Sequence, residues 1–194
     1  MDMAQREREV AAELPAGSVL AVLFQQHARI RDLFAQVAAR RGFAKQAAFD
    51  ELRELLAVHE AGEEMVLRPV TKRAVGGHVA DERNHEESGA ARILAQLELL
   101  DVDSPEFTAM FAAFEGAVSD HATHEENSEF PHVMARVSAE EQQAMGERLL
   151  TAEKIAPTHP HPDTAGSTTA QFTVGPFIAL LDKAKDAYAA RQSN

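Results

Sequence analysis

The apolar residues of this chain are spaced as in helices over almost its whole length. They recur three and four residues apart, and no stretch alternates between apolar and polar as a strand would. Ser18 is a good N-cap and Pro105 suits a first helical turn, so both mark helix starts. The pattern predicts an all-α protein whose core is an up-down-up-down four-helix bundle. The predicted helices run from about Ser18 to Arg41, over about 45–68, from about His78 to Leu100, and from Pro105 to at least Phe130.

Two further segments flank the predicted bundle, which covers residues 18–135. Residues 1–17 form an N-terminal segment that is charged and lacks the apolar core of a secretion signal. Residues 136–194 form a helical extension, in which Ser138 to Glu141 is a capping box that opens a helix to about Ile155. Residues 156–175 are rich in Pro and Thr and predict a surface loop, after which Pro176 begins a last helix.

Composition and charge narrow the classes of function. The 194 residues suit a single domain, and the net charge of −12 disfavours binding to nucleic acid or to an anionic membrane surface. The sequence contains no Cys, which excludes disulfides, thiolate metal sites and thiol catalysis. No run of apolar residues is long enough to span a membrane. We therefore expect a cytoplasmic protein, and its nine His residues are the first candidates for chemistry.

A short motif occurs twice and carries histidine and glutamate at a helical spacing. Residues 59–69 read HEAGEEMVLRP and residues 121–131 read HATHEENSEFP, so both follow the pattern H-x3-E-E-x4-P. Within each copy the His and the first Glu are four residues apart, which puts them on one helix face one turn apart. Each copy also follows another histidine, His27 or His85, at a similar distance. The chain therefore uses a helix pair twice.

Four histidines lie at equal distances from the turns that join the predicted helices. His27 and His59 are equidistant from residue 43, and His59 and His85 from residue 72. His85 and His121 are equidistant from Asp103. Antiparallel helices fold about such midpoints, so these side chains should meet in one layer of the core. Because buried ionisable groups are costly unless they are paired, the layer predicts a metal site. Its candidate ligands are His27, His59, Glu63, His85, His121 and Glu125.

The donor set limits which metal this site would hold. Four imidazoles and two carboxylates without sulfur suit iron, manganese or zinc. A glutamate from each copy of the motif can bridge two ions, so a dinuclear centre is more natural than a mononuclear one. A single histidine in a core stripe is more often a hydrogen-bonded core residue than a ligand. Four histidines at one level, within a repeat, favour the metal.

These residues resemble the pattern of the hemerythrin-like, or HHE cation-binding, domain family. The strings QQHARIRDLF, HEAGEEMVLRP and HATHEENSEFP are similar to those of its members over roughly residues 18–135, and APTHPHP and GPFIALLDKAKDA are similar to extensions of actinobacterial members. The resemblance implies a four-helix bundle around two non-haem irons joined by an oxo or hydroxo bridge, with peroxide or a small diatomic molecule as the ligand. It also implies that His27, His59, His85 and His121 are terminal ligands. Glu63 and Glu125 would then bridge the two irons.

One departure from the family pattern bears on function. The oxygen carriers of the family use five histidines, with a second histidine four residues from the ligand on the third helix. Here the positions four residues from His85 hold Asp81 and Gly89. Asp81, Glu60 or water would then complete the coordination. The departure lowers the expectation of a simple oxygen carrier and favours reaction with oxygen, peroxide or nitric oxide, or iron or oxygen sensing.

Several alternatives remain open on the sequence. The chain can be a non-enzymatic iron or oxygen sensor whose fold is completed by metal, or a zinc or manganese protein without a redox role. Two E-x-x-H pairs typical of ferritin-like proteins compete with the motif but would leave three core histidines unused. Glu60 and His124, which neighbour candidate ligands, are candidates for hydrogen bonds to them. The sequence leaves the oligomeric state open.

Overall fold

In a computed structural model, residues 2–74 and 77–153 are described, and every regular element among them is helical. The predicted all-α, four-helix bundle is confirmed. The predicted loop over 156–175 and the last helix lie outside the described residues. The α-helices are α1 (Met3–Glu13), α2 (Val19–Ala39), α3 (Gly42–Gly62), α4 (Arg68–Ala74), α5 (Gly77–Leu97), α6 (Pro105–His124), α7 (Phe130–Arg136) and α8 (Ala139–Glu153). Two π-helical turns join helices end to end: π1 (Glu63–Leu67) lies between α3 and α4, and π2 (Glu125–Glu129) lies between α6 and α7.

Four rods make up the bundle. They are α2, the continuous α3–π1–α4, then α5, and the continuous α6–π2–α7. Serine side chains cap three helix starts: Ser18 accepts the Ala21 N–H at 3.4 Å, Ser104 the Phe107 N–H at 3.0 Å, and Ser138 the Glu141 N–H at 3.2 Å. The sequence signals at Ser18 and Ser138 therefore do mark helix starts.

Two apolar clusters fill the bundle, one towards each end. The first contains Phe34 of α2, Leu52 of α3, Leu94 of α5 and Phe111 of α6 among its buried members. The second contains the start of α2, Val66 and Leu67 of π1, Val70 of α4, and Phe130 with Val133 of α7. Between the two clusters lie His27 on α2, His59 and Glu63 on α3–π1–α4, and His121 and Glu125 on α6–π2–α7. The polar layer is thus enclosed by apolar packing on both sides.

Two helices outside the four rods pack on the bundle. Helix α1 lies against α2, and α8 packs against α2, α3 and π1. The sequence pattern did not predict α1, because its buried face consists of Ala4, Glu7 and Ala11 and shows no strong apolar stripe. Helix α8 approaches the chain closely at Gly146, where an added Cβ would lie 1.9 Å from the Gly17 carbonyl oxygen. Among the described residues, no helix has the length and apolar character needed to cross a membrane.

Candidate metal centre

Both copies of the repeated motif form the same local structure. The first glutamate of each copy, Glu63 or Glu125, begins a π-helical turn, and its carbonyl accepts the N–H of the residue five positions later. Pro69 and Pro131 close the motif, and each lacks an N–H and crowds the carbonyl four residues before it. One extra residue in the preceding turn relieves that conflict. Such π-turns occur often at functional sites, and here they hold two fully buried carboxylates.

The first group of side chains that could hold a cation consists of His27, His59, Glu63 and Glu125. One donor atom from each lies within 4.8 Å of the others, and all four residues are buried. Nε2 of His27 is 3.4 Å from Oε2 of Glu125, and Nε2 of His59 is 3.6 Å from Oε1 of Glu63. We call this group the first subsite.

The second group consists of Glu63, Glu87, His121 and Glu125, again with donor atoms within 4.8 Å and all buried. Nε2 of His121 lies 3.3 Å from Oε1 of Glu125, 3.6 Å from Oε1 of Glu87 and 4.0 Å from Oε2 of Glu63. We call this group the second subsite. Glu63 and Glu125 belong to both subsites and offer one oxygen to each. This is the arrangement that two cations with shared carboxylates require.

The inward histidines are oriented by hydrogen bonds on their far nitrogens. Nδ1 of His27 contacts Oε1 of Glu126 at 2.8 Å, and Nδ1 of His59 contacts Oε1 of Gln26 at 2.8 Å. Nδ1 of His121 contacts Oε2 of Glu86 at 3.0 Å. In each case an oxygen accepts from Nδ1–H, which leaves Nε2 facing the carboxylates. Metal-binding histidines are held in this way by acceptors behind them.

A buried arginine lies among the carboxylates. Nη2 of Arg68 is 2.6 Å from Oε1 of Glu125 and 3.2 Å from Oε2 of Glu63, and it also contacts Oε1 of Glu87. Its Nη1 donates to both oxygens of Glu129, at 2.9 and 2.7 Å, and Glu129 accepts a further hydrogen bond from Thr71. Only 1% of Arg68 is exposed. The sequence analysis did not find this residue.

The ionisable groups of the centre perturb one another strongly. Burial and the neighbouring Glu125 carboxylate raise the pKa of Glu63 to about 8. Burial lowers the pKa of His27, but contacts with Glu125 and Glu126 outweigh it and raise the pKa to about 9. Burial and the nearby His27 hold the pKa of His59 well below its ordinary value. These pKa shifts follow from packing carboxylates, imidazoles and the Arg68 guanidinium into one buried layer.

The donor atoms fit divalent cations. Four glutamates, Glu63, Glu87, Glu125 and Glu129, are buried here against one guanidinium. Unpaired buried charge is unfavourable by several kcal/mol per ion. Among the described residues, the candidate metal-ligand atoms that are buried without a hydrogen-bond partner are Nε2 of His27, Nε2 of His121, Oε1 of Glu63 and Oε2 of Glu125. All four are atoms that a cation in one of the two subsites would use.

The structure brings together five of the six residues that the sequence nominated and leaves His85 apart from them. His85 is exposed on α5 and lines an open groove with His78, Glu86 and His124. Glu87, two residues further on, is buried in the place where an α5 ligand was expected. The physical reason is the packing of α5, whose buried face is Arg83, Glu87, Ala90, Ala91, Leu94 and Leu97.

The other nominated residues occupy different surroundings. Asp81 is exposed, 3.9 Å from the ammonium of Lys72, and is outside both subsites. Glu60 is partly buried and lines a cavity beside the subsites. Nδ1 of His124 contacts Oε1 of Glu86 at 2.9 Å, so His124 shares with His121 the carboxylate that orients it. The E-x-x-H alternative requires the pairs Glu82–His85 and Glu129–His132, and it is not assembled because Glu82 and His85 are both exposed.

Two signals in the sequence point to the residues that were missed. The run Ala90, Leu94, Leu97 continues backwards at helical spacing to Glu87 and Arg83, and is as regular as the stripe through His85. Arg68 is harder to find. In a regular helix, residues five apart point about 140° away from each other, which would turn Arg68 away from Glu63. The π-turn brings them onto one face, and only the two motif prolines indicate such a turn.

A small cavity adjoins the two subsites. Its volume is about 20 Å³, room for a single water-sized ligand. Apolar side chains form much of its wall, including Ile30, Phe34 and Val118, and the candidate ligands reach it from one side, namely His27, His59, Glu87 and His121. A small molecule there would lie in apolar surroundings next to the donor atoms.

Comparison with known proteins agrees with this geometry. The family model "Hemerythrin HHE cation binding domain" matches residues 18–133, more than half of the chain, which therefore belongs to this family of hemerythrin-like metal-binding domains. An uncharacterized hemerythrin-like protein of Schizosaccharomyces pombe is 25% identical over 134 residues, which cover 68% of this chain and 66% of that protein. The chain thus spans slightly less than two thirds of that relative.

A solved structure shows the same fold. The crystal structure of a hemerythrin HHE cation-binding domain-containing protein from Mycobacterium kansasii superposes with a TM-score of 0.64 at 20% identity. The match covers 71% of this chain and 85% of that one. At this identity the comparison supports the helical fold alone. The family resemblance inferred from the repeated motif is confirmed by the family match.

Proposed function

We propose that this chain holds two non-haem iron ions and binds or reacts with dioxygen, peroxide or nitric oxide in the adjoining cavity. The observation that carries the proposal is the pair of overlapping subsites with shared carboxylates, in which buried donor atoms lack hydrogen-bond partners. The proposed ligands are His27, His59 and Glu63 from the first half of the bundle and Glu87, His121 and Glu125 from the second.

The protein's own part in this function is positioning and exclusion of water. Glu126, Gln26 and Glu86 fix the three imidazoles so that each Nε2 faces inward. The two apolar clusters and the cavity walls keep bulk water from the layer. Bound iron would supply redox capacity and Lewis acidity at this place. A cavity of about 20 Å³ suits a small ligand such as a diatomic molecule or peroxide.

Metal analysis tests the identity of the ions. The protein is purified without an affinity histidine tag, reconstituted with ferrous iron under anaerobic conditions, desalted and measured by mass spectrometry, with zinc and manganese loaded in parallel. We expect close to two irons per chain and a near-ultraviolet absorption band that appears on oxidation and responds to peroxide. A chain that retains no iron, or that binds zinc with no spectral response to oxidants, would contradict the proposal.

The role of the cavity is tested with matched substitutions on α5. Ala90 lines the cavity, whereas Ala91 is also buried but does not line it. We expect Ala90→Val to slow binding of azide or nitric oxide to the iron-loaded protein, with iron content unchanged. Ala91→Val is the control for repacking of the same helix. Equal rates in the two variants would show that the ligand does not use this cavity.

A second candidate function is a non-enzymatic sensor of iron or oxygen. The observation that favours it is the excess of buried carboxylates over Arg68, because neutralising them by metal would stabilise the fold. The two functions differ in turnover. A peroxide-consuming enzyme evolves oxygen through many cycles, whereas a sensor changes its melting temperature or partner affinity without turnover. Oxygen evolution and thermal denaturation, each measured with and without iron, separate them.

A further inference from the structure

The two subsites differ in what their carboxylate oxygens already contact. In the second subsite, the three oxygens that face Nε2 of His121 are Oε2 of Glu63, Oε1 of Glu87 and Oε1 of Glu125. The same three oxygens contact Nη2 of Arg68. The guanidinium therefore takes the carboxylate contacts that a cation in the second subsite would need.

The first subsite has no such competitor. Oε1 of Glu63 and Oε2 of Glu125 have no hydrogen-bond partner among the described residues, and neither does Nε2 of His27. A cation there would replace only contacts between the ligands themselves, such as the 3.4 Å pair of Nε2 of His27 and Oε2 of Glu125, and no contact to Arg68. In the second subsite, binding requires that three charged contacts to Arg68 be given up.

Arg68 also has an alternative anchor. Its Nη1 is bonded to both oxygens of Glu129, a buried carboxylate that belongs to neither subsite. Thr71 donates to the same carboxylate and holds it in place. Glu129 can therefore keep the guanidinium paired when its Nη2 side leaves the other three carboxylates, so that no buried positive charge is left alone.

We propose that Arg68 is a built-in counter-ion that occupies the second subsite in the metal-free protein and must withdraw onto Glu129 before that subsite can hold a cation. The inference rests on the proposed metal centre and adds the order in which its two subsites bind cations. The first subsite fills first and tightly, and the second fills later and more weakly. Arg68 stabilises the metal-free fold and at the same time weakens binding of the second cation.

The test uses Arg68→Met, which removes the charge and keeps most of the apolar stem, with Arg29→Met as the control. Arg29 pairs with Glu51 on the surface of the bundle, far more exposed than Arg68. Mn²⁺ alone is the probe, measured by equilibrium dialysis and by calorimetric titration of the full chain. In the wild type we expect two binding steps of unequal affinity. In Arg68→Met we expect the second step to tighten by about tenfold or more, because a buried competing charge is gone.

The metal-free protein provides a second readout. We expect Arg68→Met to melt at a lower temperature than the wild type without metal and to recover most of the difference in excess Mn²⁺. Arg29→Met should change neither the melting temperature nor the second step appreciably. A second step in Arg68→Met that is unchanged or weaker would overturn the proposal, since Arg68 would then support the ligands rather than compete for them.

Glu129→Gln keeps the proposal testable if Arg68→Met does not fold. The amide holds the withdrawn guanidinium less strongly than the carboxylate does. We therefore expect the second step to weaken by about tenfold while the first step is unchanged. Wild-type affinity for both cations in Glu129→Gln would overturn the role of Glu129 as the anchor.

The outcomes separate this inference from the proposed function. Two Mn²⁺ per wild-type chain with no change in Arg68→Met would overturn the inference and leave the metal centre standing. One Mn²⁺ in the wild type and two in Arg68→Met would support the competition by Arg68 and limit the native centre to one ion. No Mn²⁺ in either protein would overturn the proposed metal centre and the filling order together.

Discussion

The first and second subsites of the centre use the same two glutamates and yet are unlike. In the first, Nε2 of His27 and one oxygen each of Glu63 and Glu125 are buried without a hydrogen-bond partner among the described residues. In the second, the other oxygens of both glutamates are already bonded to Arg68. A sequence repeat has thus produced two inequivalent halves. The lesson is that a repeated motif fixes the shared carboxylates, while the helices around it decide what else reaches them.

The difference arises from the remaining members of each subsite. Helix α2 brings His27 to the first, and α5 brings Glu87 to the second. The first subsite therefore has two imidazoles and two carboxylates, and the second has one imidazole and three carboxylates. The second holds more negative charge, which is why it attracts a guanidinium in this structure. Variants that remove a ligand from one subsite, or from both, test whether the two subsites bind cations with different affinities.

The largest effect should come from the shared carboxylates. Glu63→Gln or Glu125→Gln removes a ligand from both subsites at once, and we expect metal content to fall from two ions per chain to below one. The affinity loss should exceed the roughly 100-fold that removal of an outer hydrogen-bond partner can cause. Mass spectrometry of desalted protein measures it, with exposed Glu115→Gln as the control. If either variant kept two metals per chain, the sharing of that carboxylate would be ruled out.

The next effect distinguishes Glu87 from His85. We expect Glu87→Gln to weaken the second binding step by about 100-fold and to leave the first step unchanged, because Glu87 is a member of the second subsite alone. His85→Ala should change neither step, because that side chain is exposed. Titration with Mn²⁺ checks both. The opposite result, with His85→Ala weakening the second step, would restore the ligand set that the family resemblance implies.

Smaller effects are expected from the acceptors behind the histidines. Glu126 accepts from His27, and Glu86 accepts from His121. Glu126→Ala should weaken the first step and Glu86→Ala the second, each by about 10- to 100-fold. Titration with Mn²⁺ measures both binding steps in each variant. If either variant weakened both binding steps equally, the idea that each acceptor orients the histidine of one subsite alone would be wrong.

The smallest effect concerns His124. It shares Glu86 with His121 but is 54% exposed, so it contributes a solvent-screened contact. We expect His124→Ala to change the second step by less than about fivefold, since an exposed ion pair is worth at most about 1 kcal/mol. A loss as large as that of Glu86→Ala would show that His124 is needed to hold Glu86 in position.

Much of the fold could be predicted because its signals are local. The period of the apolar residues indicates helices, and the serines at positions 18 and 138 cap helix starts as expected. The midpoints between histidines predicted four of them in one layer of the core; the structure gathers His27, His59 and His121 around the shared glutamates, whereas His85 is exposed. Helix α1 escaped prediction because small and charged residues form its buried face, so its packing on α2 leaves little trace in the sequence.

The amino-acid sequence specifies the all-α bundle, the repeated His–Glu pairs on its helices and the nitrogen and oxygen donors available to a cation. Which α5 residue faces those pairs, and which group neutralises them, depends on the packing of the folded chain. Residues 85 and 87 point about 160° apart on a helix, so the choice depends on how α5 is rotated. That rotation is set by the packing of Ala90, Leu94 and Leu97. Arg68 enters the same layer because a π-turn changes the face on which it lies, and its partners Glu87 and Glu125 come from helices distant in sequence.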